Sequence, residues 1–114
     1  MPHFILDCSE NILEIQKPRK VLEAVFETAF STGLFEREDI KVRMNPYKHS
    51  LVQCGESDFI HVFGNIMQGR SEEQKAELSY AIVATLNTLF PNVPIISMNI
   101  RDFEMASYCN KTMI

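Results

Sequence analysis

Paired cysteines, a long apolar run and an excess of basic charge are all missing from this chain, and each absence closes off a class of protein. Cys8, Cys54 and Cys109 are odd in number, far apart and form no C-x-x-C pair. They read as free thiols of a reducing compartment, not as a disulfide framework. No window holds about 18 uninterrupted apolar residues, and no basic leader precedes an apolar stretch, so the expectation is a soluble, cytoplasmic protein with no membrane partner. Lys and Arg number 11 against 15 Asp and Glu, a net charge of -4, which argues against a nucleic-acid partner. The single basic cluster, Lys17 to Lys20, is broken by Pro18 and reads as a solvated loop or helix entry. The G-x-S-x-G elbow, the P-loop, G-x-G-x-x-G and H-E-x-x-H are absent, which removes the common hydrolase, nucleotide and zinc chemistries. His3, His49 and His61 lack ligand spacing among themselves or with the cysteines, so no metal and no cofactor are expected. His61 falls mid-strand and reads as a packed, hydrogen-bonded side chain.

What is present suits one compact domain over residues 1-114, with 46% hydrophobic residues. A domain this small buries a modest fraction of its surface, so contacts between subunits are a plausible supplement. HFILDC (3-8) reads as a strand at the very start of the chain, ended by the turn chemistry of Ser9, Glu10 and Asn11. From Pro18 the period changes: Val21, Leu22, Val25, Phe26, Ala29 and Phe30 mark one face of a helix closed by Gly33. Ile40, Val42 and Met44 then alternate with Lys41 and Arg43 in a second strand, and residues 46-56 read as a loop or small hairpin. FIHVFGNI (59-66) is a third strand. Ser71 and Gln74 have the spacing of a capping box that opens a second helix, with Leu78, Ile82, Leu86 and Leu89 facing inward and Pro91 as its stop. VPIISMNI (93-100) gives the last strand, followed by a polar tail with Tyr108 and Asn110. The order predicts an α+β (α/β) fold: two βαβ units make a four-stranded mixed sheet with both helices on one face. The other face calls for cover, most simply a neighbouring subunit.

Few residues offer chemistry. Removal of Met1 before the small Pro2 would leave a secondary amine held at the start of a strand. Partial burial or nearby cations lower an amine's pKa, and the result is a base suited to proton abstraction near neutral pH. With Met1 retained, the same nitrogen is an amide and no base. Lys41 and Arg43, two apart on a strand, project from one face and suit a carboxylate-bearing ligand, or else form a solvated strand face. Arg70 lies just before the helix-capping Ser71, where free backbone N–H groups already favour an anion. Phe4, Phe35, Phe59 and Phe63 are read as core, with the alternative that they line an apolar pocket.

Three stretches, PHFILDCSENI, FIHVFGNIMQGRSEEQK and NIRDFEMASYCNKTMI, together resemble the 5-carboxymethyl-2-hydroxymuconate isomerases, a branch of the tautomerase superfamily. The resemblance runs over nearly the whole chain. It is most specific at the proline-initiated first strand, at the GRS turn into the second helix and at the tail with Tyr108 and Asn110. It implies a homotrimer of βαβ-repeat subunits that isomerises an unsaturated hydroxy or oxo acid without a cofactor. Pro2 would be the proton-shuttling base, and Arg43 and Arg70 would bind substrate carboxylates. Lys41 departs from the arginine frequent at that place and loses its planar fork. Two alternatives stand beside this reading: a tautomerase with another physiological substrate, and a non-catalytic βαβ-repeat ligand-binding module.

Overall fold

A computed structural model of the chain describes residues 1-52 and 57-114. Cys54, expected as a free thiol, lies outside the described residues, as does the end of the expected 46-56 loop. Four strands form one sheet: β1 (His3–Ser9), β2 (Lys41–Tyr47), β3 (Phe59–Met67) and β4 (Ile95–Phe103), in the spatial order β2-β1-β3-β4. β1 pairs parallel with β2 and β3 pairs parallel with β4, while β1 and β3 join the two halves antiparallel. This is the mixed sheet of two βαβ units expected from the hydrophobic periods.

Among the described residues, three α-helices accompany the sheet: α1 (Ile12–Ile15), α2 (Pro18–Ser31) and α3 (Glu72–Leu89). Helix α1 was not anticipated, since four residues carry no period; it is pinned by Ile12, which is fully buried. Pro18 begins α2 in the first turn, where a missing N–H is harmless, and Gly33 follows its end at φ 76°, a conformation natural to glycine. At α3 both halves of the capping box form: the Ser71 hydroxyl accepts from Gln74 N and the Gln74 side chain accepts from Ser71 N.

The core is one layer between sheet and helices. Phe4, Leu6, Ile60, Val62 and Ile66 point from the central strands onto Val21, Val25 and Ala29 of α2 and Leu78, Ile82 and Leu86 of α3. The helices also touch each other, where the hydroxyls of Thr28 and Thr85 lie 2.7 Å apart. By the pleat, the alternate residues Ile5, His61 and Phe63 stand on the other face, which neither long helix covers.

Two strand boundaries differ from the sequence reading. β2 runs on through Pro46 and Tyr47, paired with Cys8 and Ser9, because β2 is an edge strand and proline's missing N–H costs no ladder bond there. β4 starts only after Pro94 and continues to Phe103, so that Arg101 and Asp102 lie within the strand; the ion pair of Asp102 with Lys75, at 3.1 Å, ties this polar end to α3. Among the described residues no helix is long and apolar enough to cross a membrane.

Candidate active site

The first residues of β1 enter the sheet directly, and Pro2 is buried. Its carbonyl accepts a hydrogen bond from Lys41 N at 3.1 Å, which fixes the start of β1 against β2. The amino terminus at Met1 opens into a cleft of about 740 Å³, lined by Asp39, Met67 and Arg70 and by the C-terminal residues Met105, Tyr108 and Asn110 to Met113. The α-amino group is held below its ordinary pKa. Burial is the largest cause; Asp39 works in the opposite direction, and the positive charges of Arg70 and Lys41 add to the lowering.

Arg70 sits beside this amine because the Gly69 turn, at φ 121°, places it between the end of β3 and the start of α3. Its guanidinium donates to Met67 O at 3.2 Å and Leu34 O at 2.7 Å, and stacks 5.0 Å from the centre of the Phe35 ring. Phe35 in turn packs edge-on against Phe4. A guanidinium carries five N–H donors, so these two bonds leave three for a ligand while the side chain is held in place.

The other two expected cations are arranged differently. Lys41 is half-buried, and its ammonium donates to the carbonyl of Asp39 at 2.8 Å; it also borders a separate depression between α2 and β2. Arg43 is exposed two residues further along β2 and hydrogen-bonds His3 Nδ1 at 3.1 Å. It does not line the amine cleft within this chain. His3 is held below its usual pKa, first by burial and then by the charges of Arg43 and Lys41. The structure thus gathers the amino terminus and Arg70 in one cleft, places Lys41 within electrostatic reach of the amine, and sets Arg43 apart.

Asp39 and Lys111 also line the cleft, and sequence reasoning missed both. Their proximity to the amine follows from the β1–β2 register and from the fold of the C-terminal segment, neither of which has a local signature. His61 is satisfied as expected: its ring nitrogens lie 2.7 Å from Ser97 Oγ and 2.6 Å from Asn99 Oδ1. Cys8 is buried, with its thiol pushed up to about 11 by burial and by the charges of Asp7 and Asp58, and is therefore inert at neutral pH. Among the described residues, no group of three or more His, Cys, Asp or Glu is arranged to hold a metal ion.

A sequence profile of the 5-carboxymethyl-2-hydroxymuconate isomerases matches residues 2-114. The 5-carboxymethyl-2-hydroxymuconate Delta-isomerase of Escherichia coli is 29% identical over 92 residues, covering 79% of this chain and 73% of the bacterial protein. A 5-carboxymethyl-2-hydroxymuconate isomerase from Deinococcus radiodurans R1 superposes with a TM-score of 0.84 at 24% identity, over 96% of this chain and 88% of the other. A fused 4-OT described as a symmetric trimer shares the fold at a TM-score of 0.76 and 16% identity, over 96% and 94% of the two chains.

Proposed function

Because the chain belongs to the 5-carboxymethyl-2-hydroxymuconate isomerase family and is an isomerase of the tautomerase superfamily, we propose that it isomerises 5-carboxymethyl-2-hydroxymuconate or a closely similar unsaturated hydroxy acid, with Pro2 as its base. The observation that carries this reading is the amino terminus at Met1, which lines a cleft with Arg70 and is joined directly to the buried Pro2 at the start of β1. The family match also begins at Pro2. Once Met1 is removed, the proline nitrogen becomes a secondary amine among the same charges that lower the terminal amine. The neutral amine takes the proton of the enol hydroxyl. The conjugated chain shifts its double bonds, and the resulting ammonium returns a proton to a distant carbon, so that no proton is consumed overall. Arg70 holds a substrate carboxylate and steadies the negative charge of the dienolate with its remaining N–H donors. Lys41 adds positive potential at the same place, and Arg43 serves as a further carboxylate ligand on the open sheet face. No cofactor enters this scheme. The active form is a homotrimer in the cytoplasm, a reading supported by the trimeric 4-OT relatives and by the sheet face left without a helix.

A second reading, a tautomerase with another physiological substrate, is favoured by Lys41. Its ammonium already donates to the Asp39 carbonyl and offers no bidentate fork. Substrate profiling separates the two.

The test is to confirm loss of Met1 by intact mass and then follow the ultraviolet absorbance of 5-carboxymethyl-2-hydroxymuconate with the wild type, with Pro2→Ala and with a form that retains Met1. A positioned general base is worth about 10²–10⁴ in rate, so both altered forms are expected to fall by at least about 10². Full activity with Met1 in place refutes the proline base.

A further inference from the structure

One wall of the amine cleft is built by the C-terminal residues that follow β4. This segment is tied down at each step. Met105 N donates to the side chain of Gln68 at 2.8 Å, and Tyr108 stacks on Phe103 with ring centres 5.4 Å apart and planes at 27°. Asn110 then organises the last turn: its Nδ2 donates to the Tyr108 hydroxyl at 3.4 Å, and its Oδ1 accepts from Thr112 N at 3.0 Å and Thr112 Oγ1 at 2.7 Å. A segment fastened in this way holds its side chains at a defined place, which a free terminus does not.

One cation is carried on that wall. Lys111 lines the cleft together with Arg70 and the amino terminus, is exposed, and is in no ion pair among the described residues. Arg43 lies outside the cleft, and Lys41 is turned to the Asp39 carbonyl. For an acid with carboxylates at both ends of a conjugated chain, one end can meet Arg70 beside the amine. The other end then has Lys111 as the remaining cation that lines the cleft.

We infer that Lys111 is a specificity-determining residue, whose ammonium binds the carboxylate remote from the reacting enol in the cleft it shares with Arg70; this rests on the functional reading above. The ammonium is a mobile point charge on a flexible stem. It therefore recognises charge at the far end of the substrate more than exact shape, and it selects dicarboxylates over monocarboxylates with the same dienol core.

The experiment measures kcat and KM for 2-hydroxymuconate, which has two carboxylates, and for 2-hydroxy-2,4-pentadienoate, which has one, using the Met1-processed enzyme and the variants Lys111→Ala, Lys111→Arg and Pro2→Ala. A partly solvated charge pair is worth about 1 kcal/mol, so Lys111→Ala is expected to raise KM for the dicarboxylate roughly fivefold, with KM for the monocarboxylate within about twofold. Lys111→Arg restores the preference. If Lys111→Ala shifts both substrates equally, or neither, while Pro2→Ala is inactive, the role of Lys111 is overturned and the proline mechanism stands. If the wild type converts 5-carboxymethyl-2-hydroxymuconate but neither of these acids, the role of Lys111 is overturned alone; if it converts none of the three, or Pro2→Ala keeps full activity, the functional reading fails and takes this inference with it.

Discussion

Arg70 joins the stability of the fold to the acidity of the amine, and two substitutions separate these effects. Its half-buried guanidinium makes two bonds to backbone carbonyls and stacks on Phe35. Hydrogen bonds from a charged donor contribute about 1.5 kcal/mol or more each when sheltered, and a cation over a ring about 0.5–1 kcal/mol. Discounted for partial exposure, Arg70→Met is expected to destabilise the fold by about 2–3 kcal/mol. At roughly 4 °C per kcal/mol for a domain of this size, the melting temperature falls by about 8–12 °C. Arg70→Lys keeps the charge but cannot span both carbonyls, so it should lose about half as much. The pH dependence separates the two variants. The positive charge of Arg70 lowers the amine pKa; its removal raises that pKa, leaves less neutral amine at a given pH and moves the acid limb of kcat/KM to higher pH. Arg70→Met should show this upward shift and Arg70→Lys should not. Thermal melts by circular dichroism and a pH–rate profile for each variant provide the measurements. An unchanged melting temperature in both variants, or an acid limb that moves down in Arg70→Met, refutes the reasoning.

Asp39 acts on the amine with the opposite sign, since its carboxylate raises the pKa. Asp39→Asn should therefore shift the acid limb of the same profile to lower pH, and an upward shift would show that Asp39 does not face the working amine. Gly64 sits in β3 opposite Phe4, where an added Cβ would lie 2.8 Å from both Ile100 Cδ1 and Met98 Cε. Both are the far ends of flexible side chains on the edge strand β4 and can swing aside. Gly64→Ala is expected to cost no more than about 1 kcal/mol of stability, read as a small fall in the urea midpoint; a loss of several kcal/mol would mean that Ile100 and Met98 are locked in place.

Parts of the fold that depend on local chemistry were legible in the sequence. The capping box of Ser71 and Gln74, the proline start of α2 and the alternation in β1 and β3 each follow from neighbouring residues. What was not legible depends on partners far away in the chain. Pro46 reads as a loop until β2 is known to be an edge, and α1 is a helix because Ile12 finds room beneath the sheet. The candidate site divides in the same way. Pro2 and Arg70 were singled out from a chain end and a helix start; Arg70 lines a cleft with Met1, the neighbour of the buried Pro2. Arg43 was grouped with Lys41 by strand parity, but parity only sets a face; it does not say that His3 lies across the strand to engage the guanidinium. Asp39 and Lys111 reach the amine through tertiary placement, which leaves no pattern in sequence.

The sheet face opposite the helices bears on the proposed assembly. Ile5 and Phe63 are cross-strand partners on this face and are only half-buried. Beside them, His61 bonds Ser97 and Asn99, and Tyr47 donates to Asp7 at 3.3 Å. These polar groups keep their partners when another subunit covers the face, and the burial of Ile5 and Phe63 favours association. Phe63→Lys places a charge at the centre of that contact. Loss of the partial apolar burial alone is worth about 1.4 kcal/mol per contact, a tenfold weakening, and the unpaired charge adds to it. Sedimentation of the variant should show dissociation at concentrations where the wild type is a trimer, with the single-chain fold retained by circular dichroism. A trimer of unchanged affinity would mean that the subunits meet through a different surface.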